Sequence, residues 1–357
     1  MNNGDYKYKA LMERLKEDIL QHRLSYGEKI PSENELAKSF SISRFTVRRA
    51  IELLTNEGWL ERRQGSGTFV NSIKKKHTDV VGIITTYLDD YIFPNIIKGA
   101  EDVLTANGFA ISLGITGNKI EKEAACLRSM LDQRVDGLII EGTKSALPND
   151  NIQILREFEL KRIPVVFINS TYADFSCSSV LMDDEKSGRI AVEYLIKNGH
   201  KRIGGIFKSD DIQGQKRYKG FIESCHKMGL SIDENAVLWY TTEDLEGIFS
   251  REYSSLFEKR FHACTAIICY NDQIAIKTLE LLNREGHRVP EDISLIGFDD
   301  SELCEISCVK LTSVSHAREI MGREAARTLL EVMEGKPQTN IVLPPKLVIR
   351  NSVALQK

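Results

Sequence analysis

The sequence predicts an α/β protein made of a small helical head and a larger body of two doubly wound lobes. Three observations carry this. Residues 31–70 read as helix, turn, helix and hairpin; from Val80 onward apolar strands alternate with amphipathic helices; and the two parts differ in charge. Residues 1–78 hold 15 Lys and Arg against 10 Asp and Glu, a net +5, while the remainder holds 33 against 41, a net −8. A basic head on an acidic body suits a nucleic-acid partner for the head. At 357 residues the chain exceeds one ordinary core. The boundaries expected are 1–70 for the head, 71–79 for a linker and 80–357 for the body.

In the head, residues 8–21 place Leu11, Leu15, Ile19 and Leu20 at helical spacing, a face to pack beneath two further helices. Ser32 and Glu35 form a capping-box pattern ahead of Leu36, Ala37 and Phe40. Ser41-Ile42-Ser43 breaks that short helix, and Ser43 caps a second whose apolar face is Val47, Ala50, Ile51 and Leu54, ending near Gly58. Arg44, Thr46, Arg48 and Arg49 lie away from that face, where donors can reach base edges and phosphates. Residues 59–63 and 68–70 read as strands joined by Gln64-Gly65-Ser66-Gly67, whose glycines allow a tight hairpin close to a phosphate backbone. The plainer reading of the arginines is a solvated helix face, and a Gly-x-Gly by itself is only a turn.

Ile30-Pro31-Ser32-Glu33, Ser43-Arg44, Thr46-Val47-Arg48 and Gly65-Ser66-Gly67-Thr68-Phe69-Val70 together resemble the winged helix-turn-helix of the gluconate-repressor (GntR) family over about seventy residues. The family often has Arg after the Pro-Ser-Glu, and this chain has Asn34, a changed donor that bears on base preference. The resemblance implies a DNA interface of Ser32, Asn34, Ser43, Arg44, Thr46, Arg48, Arg49, Gln64, Gly65, Ser66 and Gly67, with double-stranded operator DNA as partner.

Residues 71–79 carry Lys74-Lys75-Lys76 with little apolar content and read as an exposed linker. Beyond it, strands are expected at 80–85, 109–114, 137–141 and 164–169, and, past a helix near 185–197, at 202–207, 236–240, 266–269 and 294–297. Two lobes follow from the count. In such sheets ligands sit beyond the carboxyl ends of the strands, so facing lobes make a cleft.

Asp136-Gly137, Gly199-His200-Lys201-Arg202-Ile203-Gly204, Arg217-Tyr218-Lys219-Gly220-Phe221, Tyr270-Asn271-Asp272 and Val289-Pro290-Glu291-Asp292-Ile293-Ser294 recur in the order of the lactose-repressor (LacI) effector domain, across about 275 residues. This resemblance implies a two-lobed, periplasmic-binding-protein-like body. The pairing of such a head with such a body, and the loops 85–94, 141–146 and 207–214, are similar to a family of L-arabinose-responsive repressors. The implied effector is L-arabinose, with no cofactor. A pentose needs hydroxyl donors and acceptors and an apolar face for its ring. By the LacI resemblance Arg217 and Asp272 contact ligand, Asp183 and His316 lie near it, and Gln213 sits four residues before Arg217, where a contact is usual. Chemistry and location add Glu141 as acceptor, Lys144 as donor, and Tyr91 and Phe93 as stacking or lid residues. Each has a structural alternative as salt bridge or core aromatic.

The resemblance also implies a homodimer on a palindromic operator, with helices near 94–106 as a candidate interface. Ribose, xylose or a purine remain alternative effectors, and an exported sugar-transport binding protein an alternative class. Against export stand the absence of a cationic start with an apolar run and of any eighteen-residue apolar stretch, so a cytoplasmic chain without membrane contact is expected. Seven scattered cysteines show no Cys-x-x-Cys pair and no metal spacing, which points to reduced thiols and no metal. No Gly-x-x-x-x-Gly-Lys, no Gly-x-Gly-x-x-Gly and no catalytic constellation is present, so enzymatic chemistry has no support.

Overall fold

A computed structural model describes residues 3–20, 23–25, 27–71, 78–88 and 92–356. The chain divides into two compact units, 1–77 and 78–357. The first unit contains α1 (Asn3–Leu20), α2 (Glu33–Ser39), α3 (Arg44–Asn56), β1 (Leu60–Arg63) and β2 (Gly67–Val70). Leu11, Leu15 and Ile19 of α1 meet Val47, Ala50, Ile51 and Leu54 of α3, with Leu36, Leu60 and Val70 closing the same core. The hairpin is antiparallel, with Leu60 opposite Val70 and Arg63 opposite Gly67. Its β2 edge also pairs with residues 27–30, a partner that the sequence pattern does not announce: Val70 N donates to Glu28 O at 2.8 Å and Ile30 N to Thr68 O at 3.0 Å. Of the expected linker, residues 72–77 lie outside the described residues.

The second unit begins with β3 (Val80–Thr85), α4 (Phe93–Ala106), β4 (Ala110–Ile115), α5 (Ile120–Gln133), β5 (Gly137–Glu141), α6 (Ile152–Leu160), β6 (Val165–Ile168) and β7 (Ser178–Met182). There follow α7 (Asp184–Lys197), β8 (Ile203–Lys208), α8 (Ile212–Lys227), β9 (Val237–Tyr240), α9 (Leu245–Ile248), α10 (Ser254–Phe261), β10 (Ala266–Cys269), α11 (Asp272–Arg284), β11 (Ser294–Asp299), α12 (Leu303–Ile306) and β12 (Thr312–Ser315). The chain ends with α13 (Arg318–Met333), β13 (Asn340–Leu343) and β14 (Leu347–Val348). One six-stranded sheet runs β13-β7-β6-β5-β3-β4 and the other β14-β12-β11-β10-β8-β9. All neighbours are parallel except β14 with β12.

The eight expected strands are present within one or two residues, but β7, β12, β13 and β14 escaped the sequence reading. They matter because they make the lobes interleaved rather than consecutive. The chain passes between sheets at Asp183, at His316-Ala317 and at Pro344-Pro345-Lys346. Hydrogen bonds tie these crossings together: Asp183 N donates to Leu343 O at 3.1 Å, and Ser315 N to Lys346 O at 2.7 Å. All seven cysteines are free thiols. No helix among the described residues is long and apolar enough to cross a membrane.

Each lobe holds one helix pair in close approach. A Cβ on Gly188 of α7 would lie 2.1 Å from Arg217 O, and one on Gly220 of α8 would lie 1.9 Å from Glu185 O. The α4–α13 pair uses Gly99 and Gly322 in the same way. Backbone cannot retreat as a flexible side chain can, so Gly220→Ala should destabilise the protein by about 1–3 kcal/mol in urea unfolding. Unchanged stability would mean that the helices can separate freely.

Candidate functional site

In the head the two serines satisfy helix ends. Ser32 N donates to Glu35 Oε2 at 2.7 Å while Glu35 N donates to Ser32 Oγ at 3.3 Å. Ser43 Oγ accepts from Thr46 N at 3.1 Å and lies 2.8 Å from Thr46 Oγ1. The caps therefore fix where α2 and α3 begin, and their hydroxyls are already engaged. Asn34 is exposed on the first turn of α2, and Gln64, Gly65, Ser66 and Gly67 are exposed at the tip of the wing. Gly65 and Gly67 have φ of 74° and 116°, which favour glycine.

Arg44 and Arg48 face a common anchor, together with Arg62 of β1, which the sequence reading passed over. Arg48 donates to both oxygens of Glu33, at 3.3 and 3.0 Å. Arg44 and Arg62 approach the same carboxylate at 3.6 and 3.8 Å. The Arg48 hydrogen bond, with the charges of all three arginines, holds the Glu33 carboxyl below its ordinary value. Arg49 belongs elsewhere: one position further round the helix, it stacks 4.6 Å over the Tyr8 ring of α1. Phe45, which also drew no notice in the sequence, leaves 77% of its surface exposed at the second position of α3.

In the body a cavity of about 280 Å³ lies between the lobes. Phe93, Glu141, Gln213 and Arg217 line it, with Lys208, Asp211, Tyr270 and Asp299, which sequence reasoning missed. Arg217 is fixed on three sides: Nε donates to Asp184 Oδ1 at 2.9 Å, Nη1 to Tyr270 O at 2.6 Å and Nη2 to Asp299 Oδ1 at 3.3 Å. Its guanidinium also lies 5.2 Å from the Tyr270 ring and 4.8 Å from that of Phe298. Burial works against its charge, but Asp184 and Asp299 outweigh burial and raise its pKa. Burial pushes Asp184 up to about 6 against the pull of Arg217. Lys208 lies 3.9 Å from Asp211, whose Oδ2 accepts from Tyr270 Oη at 2.6 Å.

Across the cavity, Glu141 Oε2 accepts from Thr86 N and Thr86 Oγ1 at 3.1 and 2.5 Å, and Oε1 accepts from Asn169 Nδ2 at 2.8 Å. Burial pushes this carboxyl up to about 7, opposed by the Thr86 hydrogen bond and aided by the Asp211 charge. Near the cavity the lobes touch through Asn118 Nδ2 donating to Thr242 Oγ1 at 2.5 Å and Ser145 Oγ to Asp211 Oδ1 at 3.1 Å.

Four expected residues do not line the cavity. Asp272 is fully buried behind it, accepting from Ser301 N at 2.8 Å and Ser313 Oγ at 2.6 Å; burial pushes its carboxyl up to about 7. Its neighbours Asn271 and Gln273 do reach the cavity. Asp183 caps α7 by accepting from Lys186 N at 2.9 Å. His316 sits at a lobe crossing with Nε2 2.9 Å from Asn169 Oδ1, and burial pushes its pKa down to about 4. Lys144 pairs with Glu243 of the other lobe at 2.6 Å. Tyr91 lies outside the described residues. The lining thus offers cations, carboxylates and ring faces together, a set able to bind a neutral polyol by donors, acceptors and stacking.

The description "Bacterial regulatory proteins, gntR family" matches residues 7–70, and "Periplasmic binding protein-like domain" matches residues 161–353. The chain is 40% identical to the arabinose metabolism transcriptional repressor of Halalkalibacterium halodurans, over 98% of this chain and 97% of that one. It is also 40% identical to the repressor of the same name from Geobacillus stearothermophilus, over 97% of each. Among solved structures, the transcriptional regulator CelR–cellobiose complex superposes with a TM-score of 0.66 at 25% identity, covering 87% of this chain and 90% of that one.

The perturbed carboxyl has a measurable consequence. Glu141 is raised from 4.5 to about 7, so the folded protein holds this proton more tightly than the unfolded chain. Stability from this group is therefore full below pH 4.5 and is lost as pH rises to 7, by about 3 kcal/mol in all. Urea unfolding at stepped pH should give a Glu141→Gln protein that gains on wild type across that window. A constant difference between the two would mean that the carboxyl titrates normally.

Proposed function

Since this chain belongs to the family of the arabinose metabolism transcriptional repressors, and is therefore a repressor rather than an enzyme, we propose that it holds a palindromic operator as a homodimer and releases it when L-arabinose fills the cleft. The observation that carries the effector reading is the make-up of the cavity wall. Lys208 and Arg217 stand among Glu141, Asp211 and Asp299, so the wall has no surplus of cations to favour a phosphate or a sugar acid. Phe93 and Tyr270 supply ring faces, and a cavity of about 280 Å³ sits at the small end of ligand pockets, suited to a monosaccharide. The names of the two relatives that match over nearly the whole chain support arabinose.

Arg217 and Gln213 on α8 and Glu141 at the end of β5 belong to opposite lobes, so a ligand bonded to both favours the closed arrangement. A hundredfold loss of operator affinity on closure needs about 2.7 kcal/mol of coupling, within the usual range for effectors. Linkage then requires operator DNA to weaken sugar binding by the same factor. On the DNA side we assign Arg44, Arg48, Asn34 and the Gln64–Gly67 turn to the interface, with Ser32, Ser43 and Thr46 holding the helix starts. The chain works in the cytoplasm on this reading.

Anisotropy of labelled DNA from upstream of sugar-utilisation genes, titrated at fixed salt with and without L-arabinose, D-xylose or D-ribose, tests the proposal. Release by L-arabinose alone is expected; release only by another pentose would replace the effector, and no binding would remove the operator. In the same assay Arg217→Ala should bind DNA as wild type does yet ignore the sugar. Arg48→Ala should lose about ten- to hundredfold in operator affinity and still bind sugar. Release of the Arg217→Ala protein at wild-type sugar concentrations would refute the cleft assignment.

A further inference from the structure

We propose that Phe45 is a base-reading residue, an apolar probe that seats on the 5-methyl group of a thymine in the major groove. The proposal rests on the assignment of α3 to the operator and names one thing that helix reads. Val47, Ala50, Ile51 and Leu54 make the buried face of α3, and Phe45 points off that face with 77% of its surface exposed, among the most exposed of the large apolar side chains described. Among the described residues no aromatic or cationic partner covers the ring. Scattered exposed apolar residues are ordinary on any protein. This one differs in its place: it stands one residue inside the Ser43-capped start of α3, between Arg44 and Thr46 and one turn before Arg48.

The first turn of a reading helix is the part that reaches base edges. A phenyl ring offers no hydrogen bond, so it cannot read the donor and acceptor pattern that distinguishes the other base edges. The thymine methyl is the one apolar group displayed in the major groove, and an aromatic ring against it buries both. The arginines flanking Phe45 are held back by Glu33, at 3.0 Å for Arg48 and 3.6 Å for Arg44, so the ring projects beside a fixed pair of cationic readers. The expected half-site therefore has a thymine next to the base pairs contacted by Arg44 and Arg48.

The test uses the full-length protein and the tightest duplex it selects from a randomised DNA library. Each thymine of one half-site is replaced singly by uracil, which removes the methyl and keeps base pairing. Wild type should lose about fourfold at one position, the worth of one buried methyl, and little elsewhere. Phe45→Ala should bind the parent duplex more weakly and make no distinction between thymine and uracil at that position, with an unchanged thermal unfolding curve. Equal wild-type affinity for all uracil duplexes overturns the proposal, as does undiminished discrimination by Phe45→Ala. Selection that enriches no duplex at all would instead overturn the assignment of the head to DNA.

Discussion

The buried guanidinium of Arg217 is the interaction on which the cleft depends. It joins α8 to the start of α7 through Asp184, to the end of β10 through Tyr270 O, and to the tip of β11 through Asp299. Removing a charge from water is costly, and one carboxylate seldom compensates for it; here two carboxylates, a carbonyl and two ring faces share the task. The arrangement needs α7 and α8 to lie almost in backbone contact, which Gly188 and Gly220 allow. It also needs Asp299 at φ 97°, a strained conformation for a residue with a Cβ, of the kind that accumulates at functional sites. Small residues, strain and a desolvated charge thus form one construction, and its product is a fixed donor on one wall of the cavity.

The head solves a related problem in water. Glu33 collects Arg44, Arg48 and Arg62 from a helix and a strand, yet these pairs are half exposed and contribute little to stability. Their effect is geometric. Three long cationic side chains that would otherwise sample many rotamers are gathered on one side of α3, and the entropy of ordering them is lost before any phosphate arrives rather than on binding.

Much of this was legible in the chain. Caps and apolar spacing located α2 and α3, and strand-helix alternation located eight of the body's strands, because both signals are local. Where β13 and β14 pair is not a local property: β13 returns to β7 of the first lobe and β14 to β12 of the second. Which side chains reach the cavity is non-local in the same way, at finer scale. Asp272 and its neighbours Asn271 and Gln273 differ by one step at the start of α11, and that step decides between the interior and the cavity. Arg48 and Arg49 differ by one step on α3, and one meets Glu33 while the other meets Tyr8. Lys208, Asp211 and Tyr270 belong to the wall only because β8 and β10 are neighbours in the sheet. Asp183 and His316, expected near ligand, stand at two of the three crossings between lobes.

That position gives His316 a connection to the cavity even though it does not line it. Asn169 donates its amide N–H to Glu141, so its carbonyl oxygen can only accept, and His316 must carry its proton on Nε2. With burial holding the imidazole neutral, Nδ1 remains a buried acceptor with no hydrogen-bond partner among the described residues. The result is a directed series from the lobe crossing to the cavity: His316 to Asn169, Asn169 to Glu141, and Thr86 closing the far side of the carboxyl. His316 and Asn169 are buried, while Glu141 and Thr86 border the cavity. Glu141 is thus the acceptor that orients Asn169, and it stands two hydrogen bonds from the crossing at His316.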